Sequence, residues 1–412
     1  MRQVFPRSEL VDLDARVNEC LRSLKVAPGQ RIAVAVGSRG ISNLQQIVKG
    51  VLNRLKAAGA KPFIIPAMGS HGGATPEGQV ELLGEYGITE SALGVPFEAS
   101  MDTATIGTTA DGVEVFCSTA AMKSDGILII NRVKPHTDFM SDTLGSGLLK
   151  MLVIGLGKRA GAANFHTSAS RHGYEHVIRT SARIVLQKAP ILGALALVEN
   201  QRHETARIDF MMADGMEEAE NKLYLEAKRL MPKLPLDDID LLIVDRLGKN
   251  ISGAGMDPNV IGRSIHGYSS LLSERNSSPV IRRIFVRELT PETHGNAVGI
   301  GMADFTTTRL VQSIDQKVSF LNALTALTPQ SVQIPIHFKT DQEVLERALD
   351  SLALKDRAQA KVVRIRDTLS LGLLELSEAC LDSELKADAG SPAEMEFEDG
   401  NLRPLPEAHP SH

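Results

Sequence analysis

The stretch RIAVAVG, Arg31–Gly37, decides the reading of the fold. It is a short, β-branched apolar run ending at a glycine. Asn43 to Ala58 follow with apolar residues at helical spacing, then Gly59, then a second run, KPFIIP, Lys61–Pro66. A strand, a helical crossover and another strand form the repeating unit of a parallel sheet. The alternation continues outward. DGILIINRV (Asp125–Val133), Leu192–Glu199 and Asp238–Asp245 read as strands, as do VIRRIFVREL (Val280–Leu289), SVQIPIHF (Ser331–Phe338) and KVVRIR (Lys361–Arg366). Helical patterns cover Thr306–Leu327 and Asp341–Leu354. Between strands, MPKLPLDD (Met231–Asp238) has two prolines and no strong periodicity, which places a domain boundary there. The expectation is an α/β protein of two α/β domains, residues 1–235 and a smaller 236–385, with an active site in the interdomain cleft. A tail, 386–412, rich in Pro, Glu, Asp and Gly, is expected to wrap the surface or fray.

Composition narrows the function classes. The 412 residues are 43% hydrophobic and 23% charged, ordinary globular usage, which excludes a largely disordered or fibrous chain. Net charge is −5, so no positive field is available to attract nucleic acid or membrane. Zero Trp and four Tyr argue against an aromatic platform for sugars or single-stranded nucleic acid. The three cysteines, Cys20, Cys117 and Cys380, are too far apart for a thiolate cluster and point to a reducing compartment. The start, MRQVFPRSELVDLD, has no apolar h-region, and no uncharged apolar stretch reaches the roughly 18 residues of a spanning helix. The expected location is the cytoplasm.

Four polar residues in glycine-rich settings carry the chemistry: His71 in GSHGG, His136 in KPHTDF, Lys150 in GSGLLK and His166 in ANFHTS. MGSHGGA sits at the carboxyl end of an expected strand, where open α/β sheets place ligands, and Thr75-Pro76-Glu77 after it reads as a helix start. His71 and His136 each follow an expected strand, and imidazole titrates near working pH, so the pair suits acid/base work. Lys150 reads as a surface lysine or as an anion contact, with Gly145 and Gly147 allowing the close backbone approach a phosphate needs. His166 could cap, pack or ligate a metal. VIGLGKRAG, Val153–Gly161, is spaced GxGxxxG rather than as the dinucleotide fingerprint, and GSGLLKM lacks the P-loop pattern.

Taken in order, these residues resemble the nickel-pincer-nucleotide-dependent lactate racemase family, over about residues 10 to 380 and most closely from Arg39 to His166. The resemblance implies that His71, in a G-[ST]-H loop, and His136, in a P-H motif, are the two acid/base catalysts. It further implies that Lys150 anchors the pyridinium nucleotide through a thioamide and that His166, sixteen residues on, ligates nickel. Arg39 in GSRGIS takes the place of an arginine that holds substrate. The implied cofactor is the nickel-pincer nucleotide, pyridinium-3-thioamide-5-thiocarboxylic acid mononucleotide with Ni in a square-planar site, a geometry that suits nickel(II). The implied reaction inverts the hydroxyl-bearing carbon of a small 2-hydroxy acid. One histidine removes the hydroxyl proton as hydride leaves the carbon, and the other works from the opposite face. Cofactor-biosynthesis and nickel-insertion proteins are the implied partners.

The chain departs from the lactate enzymes in VGSRGIS, which lacks their acidic residue and TRP context, and in DRLGKNISGAGMDPNVIGR, Asp245–Arg263. In that second loop Lys249 or Arg263 is expected to contact the substrate carboxylate. Asp257 and Asn259 either recognise further hydroxyls or cap a turn. His294, Asn296, Asp304 and the threonines of THGNAVGIGMADFTTTRL either line the site or stabilise a turn and helix start. His172, His176 and His203 read as solvated or satisfied, with no catalytic role. Two other classes remain: a zinc-dependent hydrolase using His71, His136 and His166, and a nucleotide- or metal-binding protein without turnover.

Overall fold

A computed structural model of the chain describes residues 1–5, 8–37, 40–137, 141–266, 279–382, 385–386 and 390–405. It divides into two compact α/β units. One comprises residues 7–135 and 141–231, the other residues 1–6, 136–140 and 232–412. Among the described residues no helix is long and apolar enough to cross a membrane.

The N-terminal unit is built on strands β1 (Arg31–Val36) and β2 (Lys61–Pro66), the hairpin β3 (Thr103–Thr108) and β4 (Glu114–Ser118), and β5 (Gly126–Arg132), β6 (Ile191–Glu199) and β7 (Thr205–Met212). Its main sheet runs β2-β1-β5-β6-β7, parallel except for β7, which pairs antiparallel to β6. The interior strands are apolar along their length because helices cover both faces of a parallel sheet. Ile32 to Val36 and Ile127 to Ile130 are fully buried. The helix Leu44–Ala57 buries Leu44, Ile47, Val48, Val51, Leu52 and Leu55 on one stripe, at about 1.5–3 kcal/mol for each large side chain. Register decides where the site can form. Val36 is level with both Pro66 and Ile130, so the loops leaving β1, β2 and β5 emerge side by side at the carboxyl edge.

The C-terminal unit holds β8 (Asp238–Leu247), β9 (Val280–Leu289), β10 (Phe305–Thr307), β11 (Ile336–Phe338), β12 (Val362–Ile365) and β13 (Leu374–Leu376), in the order β11-β10-β9-β8-β12-β13. All neighbours are parallel except β12 and β13. Buried ion pairs tie its strands together: Arg287 meets Asp245 at 2.9 Å and Asp341 at 2.7 Å, and Arg364 meets Asp245 at 2.8 Å. The stretch expected to be one helix, Thr306–Leu327, begins as β10 and divides into helices Thr308–Gln312 and Gln316–Thr325. Asp315 restarts it by accepting the Val318 N–H at 3.0 Å. The tail folds back at its described residues 397–402. Its hairpin, β14 (Phe397–Glu398) and β15 (Asn401–Leu402), buries Leu402, whose N–H donates to Asp341 at 2.9 Å.

Candidate functional site

At the carboxyl edge of the N-terminal sheet is a cavity of about 130 Å3 lined by residues from all three loops, among them His71, Asn131, Arg132, Lys134, Ser146 and Lys150. His71 and Lys150, 79 residues apart, are thus brought to one space. Among the described residues no carboxylate lines it. His71 is half-buried on the loop after β2. Gly72 next to it has φ +62, and a Cβ there would stand 2.5 Å from the Gly78 carbonyl carbon, so the loop folds only around a glycine. Thr75 closes the loop as expected, capping helix Pro76–Gly84 through the Gly78 N–H at 3.1 Å. Gln79, on that helix and 1% exposed, donates back to the Gly69 carbonyl at 2.9 Å and the His71 carbonyl at 3.3 Å.

Lys150 ends a short helical turn, with Nζ 3.5 Å from Ser146 Oγ. The start of that turn is held by Glu220, a fully buried carboxyl on helix Met216–Arg229. It accepts the Leu148 and Leu149 N–H groups at 3.0 and 2.8 Å. Burial pushes the Glu220 carboxyl up to about 7, against the two backbone donors that favour its anion. Gly145 and Gly147 do not line the cavity. A Cβ on Gly147 would meet Glu220 Oε1 at 1.8 Å, and one on Gly145 would meet the Lys134 carbonyl at 2.2 Å. The close approach expected there for a phosphate is made by the protein's own groups.

His166 is half-buried on helix Lys158–His172, edge-on to Phe165 with ring centroids 5.4 Å apart. Along one straight helix, sixteen residues would carry it roughly 24 Å from Lys150. The chain instead turns at Lys158, whose φ is +53. Gly157 and Gly161 then come against the Val153 carbonyl, where Cβ atoms would lie 2.2 and 2.9 Å from its oxygen. This is the role of the GxGxxxG spacing. Ile154 and Ala162, one on each arm of the corner, both face Gly69, at 2.8 and 3.6 Å from a Cβ there. Lys150 and Ile154 on the first arm line the cavity with His71, whereas His166, on the second arm, is not among the lining residues.

The remaining candidates are not among the residues lining the cavity. His136 is buried and belongs to the C-terminal unit, where its carbonyl accepts from Asn259 Nδ2 at 3.0 Å. Arg39 lies outside the described residues. Lys249 directs Nζ to the Gly253 carbonyl at 2.5 Å, within its own loop. Arg263, expected to meet a substrate carboxylate, directs its terminal nitrogens to the Met302 carbonyl at 2.7 Å and Asp304 at 2.6 Å, with the Ile281 and Arg282 carbonyls at 3.2 Å. Asp257 caps the turn Pro258–Ile261, accepting the Asn259 N–H at 2.9 Å. Thr306 and Thr307 are buried and donate to β9 carbonyls, and Asn296 donates to Asn322, so this block takes its turn-and-helix-start reading.

Sequence reasoning passed over Asn131, Arg132, Lys134 and Ser146. The signal was present, since NRVK leaves the carboxyl end of β5 just as GSHGG leaves β2. Arg132 pairs with Glu199 and also holds the Gly40 carbonyl at 2.7 Å, while Asn131 Nδ2 holds the Gly147 carbonyl at 2.8 Å. Glu220, Gln79 and Lys158 had no local signal. Among the described residues no three His, Cys, Asp or Glu side chains gather as a metal site.

Residues 17–176 match the sequence model described as the lactate racemase N-terminal domain. Among solved structures the chain is similar to the lactate racemase apoprotein from Thermoanaerobacterium thermosaccharolyticum, at 12% identity over 88% of this chain and 93% of that one, with a TM-score of 0.51. A Thermotoga maritima protein is similar at 14% identity over 78% and 82% of the two chains, with a TM-score of 0.47. No curated protein sequence matches.

Proposed function

We propose that this chain, lactate racemase-like through the N-terminal domain at residues 17–176, is an isomerase that inverts the hydroxyl-bearing carbon of a 2-hydroxy acid. The observation that carries the reading is the cavity that joins His71 to Lys150 at the carboxyl ends of parallel strands. Its lysines and the absence of a lining carboxylate among the described residues suit an anionic ligand. The residues fit a nickel-pincer nucleotide. Lys150 reaches the cavity and would anchor the nucleotide, and His166, on the helix that follows the corner at Lys158, would ligate nickel. When bound, the group supplies a hydride acceptor that can return hydride to either face of the substrate carbon.

The chain's own part is acid/base and positional. His71 takes or returns the hydroxyl proton from one face and His136 from the other, which an enzyme working in both directions requires. Basic side chains at the end of β5 hold the substrate or nucleotide anion and orient it.

The test is stereochemical. Protein matured with cofactor-building and nickel-insertion partners should racemise members of a panel of 2-hydroxy acids, and protein made without them should not. His71→Ala and His136→Ala should each lose roughly 10²- to 10⁴-fold in both directions with cofactor content unchanged. Deuterium at the inverted carbon should be largely retained. Turnover by protein lacking nucleotide, or wash-out of that label into solvent, would sink the proposal.

A further inference from the structure

Lys158 is among the largest fully buried side chains of the described residues, and the mechanism above makes no use of it. It sits at the corner between the two helical arms with φ +53, a conformation that disfavours any residue with a Cβ. Its ammonium is away from water, and among the described residues no carboxylate pairs with it. Nζ donates to the carbonyl of Pro66, the last residue of β2, and lies 3.4 Å from Gln79 Oε1. Gln79 uses its other end to hold the Gly69 and His71 carbonyls at 2.9 and 3.3 Å. The loop bearing His71 is therefore gripped where it leaves β2, at its middle and at its return, with one ammonium behind all three points. An apolar side chain would fill this position at lower desolvation cost, so filling space does not account for a lysine.

We propose that Lys158, acting through Gln79, is a positioning residue for His71. It couples the loop that carries the base to the corner between the arms that bear Lys150 and His166. The reading of His71 as a base rests on the proposed racemase function, whereas the clamp rests on geometry alone. Burial holds the Lys158 ammonium down at about 8. The facing titratable group is the buried Cys117 thiol, which burial pushes up to about 12 and so keeps neutral at working pH.

Two variants test the clamp. Lys158→Met removes the donor and keeps the bulk. Gln79→Glu keeps a partner for Lys158 but removes the amide donors to Gly69 and His71. Both are expected to fold, each with a somewhat lowered thermal midpoint because buried carbonyls lose a donor. In each, amide hydrogen exchange over residues 69–74 should speed up and the ring resonances of His71 should shift, both measured on the chain without cofactor. In matured enzyme, kcat should fall roughly 10- to 100-fold with KM little changed, the expected consequence of a base displaced by about an ångström. Unchanged exchange and an unchanged His71 ring overturn the clamp, and a loosened loop with wild-type kcat overturns the positioning role. If even wild type fails to racemise, the racemase reading falls, while exchange and ring resonance still decide the clamp.

Discussion

Replacing Glu220 with Gln should change the pH dependence of stability more than stability at any one pH. The wild-type carboxyl is completely buried, and its rise from the ordinary 4.5 to about 7 corresponds to about 3 kcal/mol. Between pH 4.5 and 7 the folded chain keeps this proton and the unfolded chain releases it. The group's stabilising contribution is therefore full below 4.5 and is lost as pH rises through 7. Glu220→Gln has no proton to release. At pH 8 it escapes the buried charge, but one of the Leu148 and Leu149 N–H groups then faces an amide instead of a carboxylate oxygen, at a cost of about 1–3 kcal/mol. At pH 4.5 only that cost remains. Urea unfolding of both proteins at pH 4.5, 6, 7 and 8 isolates the effect, because other titrating groups cancel in the difference. The variant should gain about 3 kcal/mol on wild type across the series. A difference that stays constant with pH would refute a buried, proton-holding Glu220.

Intact mass of matured protein should show a nucleotide adduct on the peptide containing Lys150, and an adduct surviving Lys150→Ala at the same site excludes that anchor. His166→Ala should retain the nucleotide and lose most of the nickel, read by metal analysis of the purified chain. Arg263→Met should destabilise the C-terminal unit by about 1–3 kcal/mol, since several carbonyls and Asp304 lose their donor, and should leave KM for the 2-hydroxy acid unchanged. A large rise in KM without loss of stability would restore it as a substrate contact. Gly157→Ala should disturb the corner, because its Cβ would lie 2.2 Å from the Val153 carbonyl oxygen; a fully stable variant with normal nickel content would show that the corner yields cheaply.

The amino-acid sequence by itself determined the α/β class and the parallel strands β1, β2, β5 and β6, because strands buried on both faces must be apolar throughout and so announce themselves locally. It also marked His71, since a glycine-rich turn after such a strand can lead only to the carboxyl edge. It left β3, β4 and β7 unread. Their burial is mixed and their partners, rather than their own pattern, make them strands. The sixteen-residue interval between Lys150 and His166 was legible as a spacing, but its meaning depends on a corner formed when glycines 157 and 161 pack on Val153. Only the tertiary structure showed that Gly147 makes room for Glu220, 73 residues away, and that Arg263 is held by Asp304 and backbone carbonyls. A sequence records that a residue is small, charged or able to donate. Which group occupies the space beside it is settled when distant segments pack, and the roles of Gly147, Arg263, Glu220 and Lys158 follow from that packing alone.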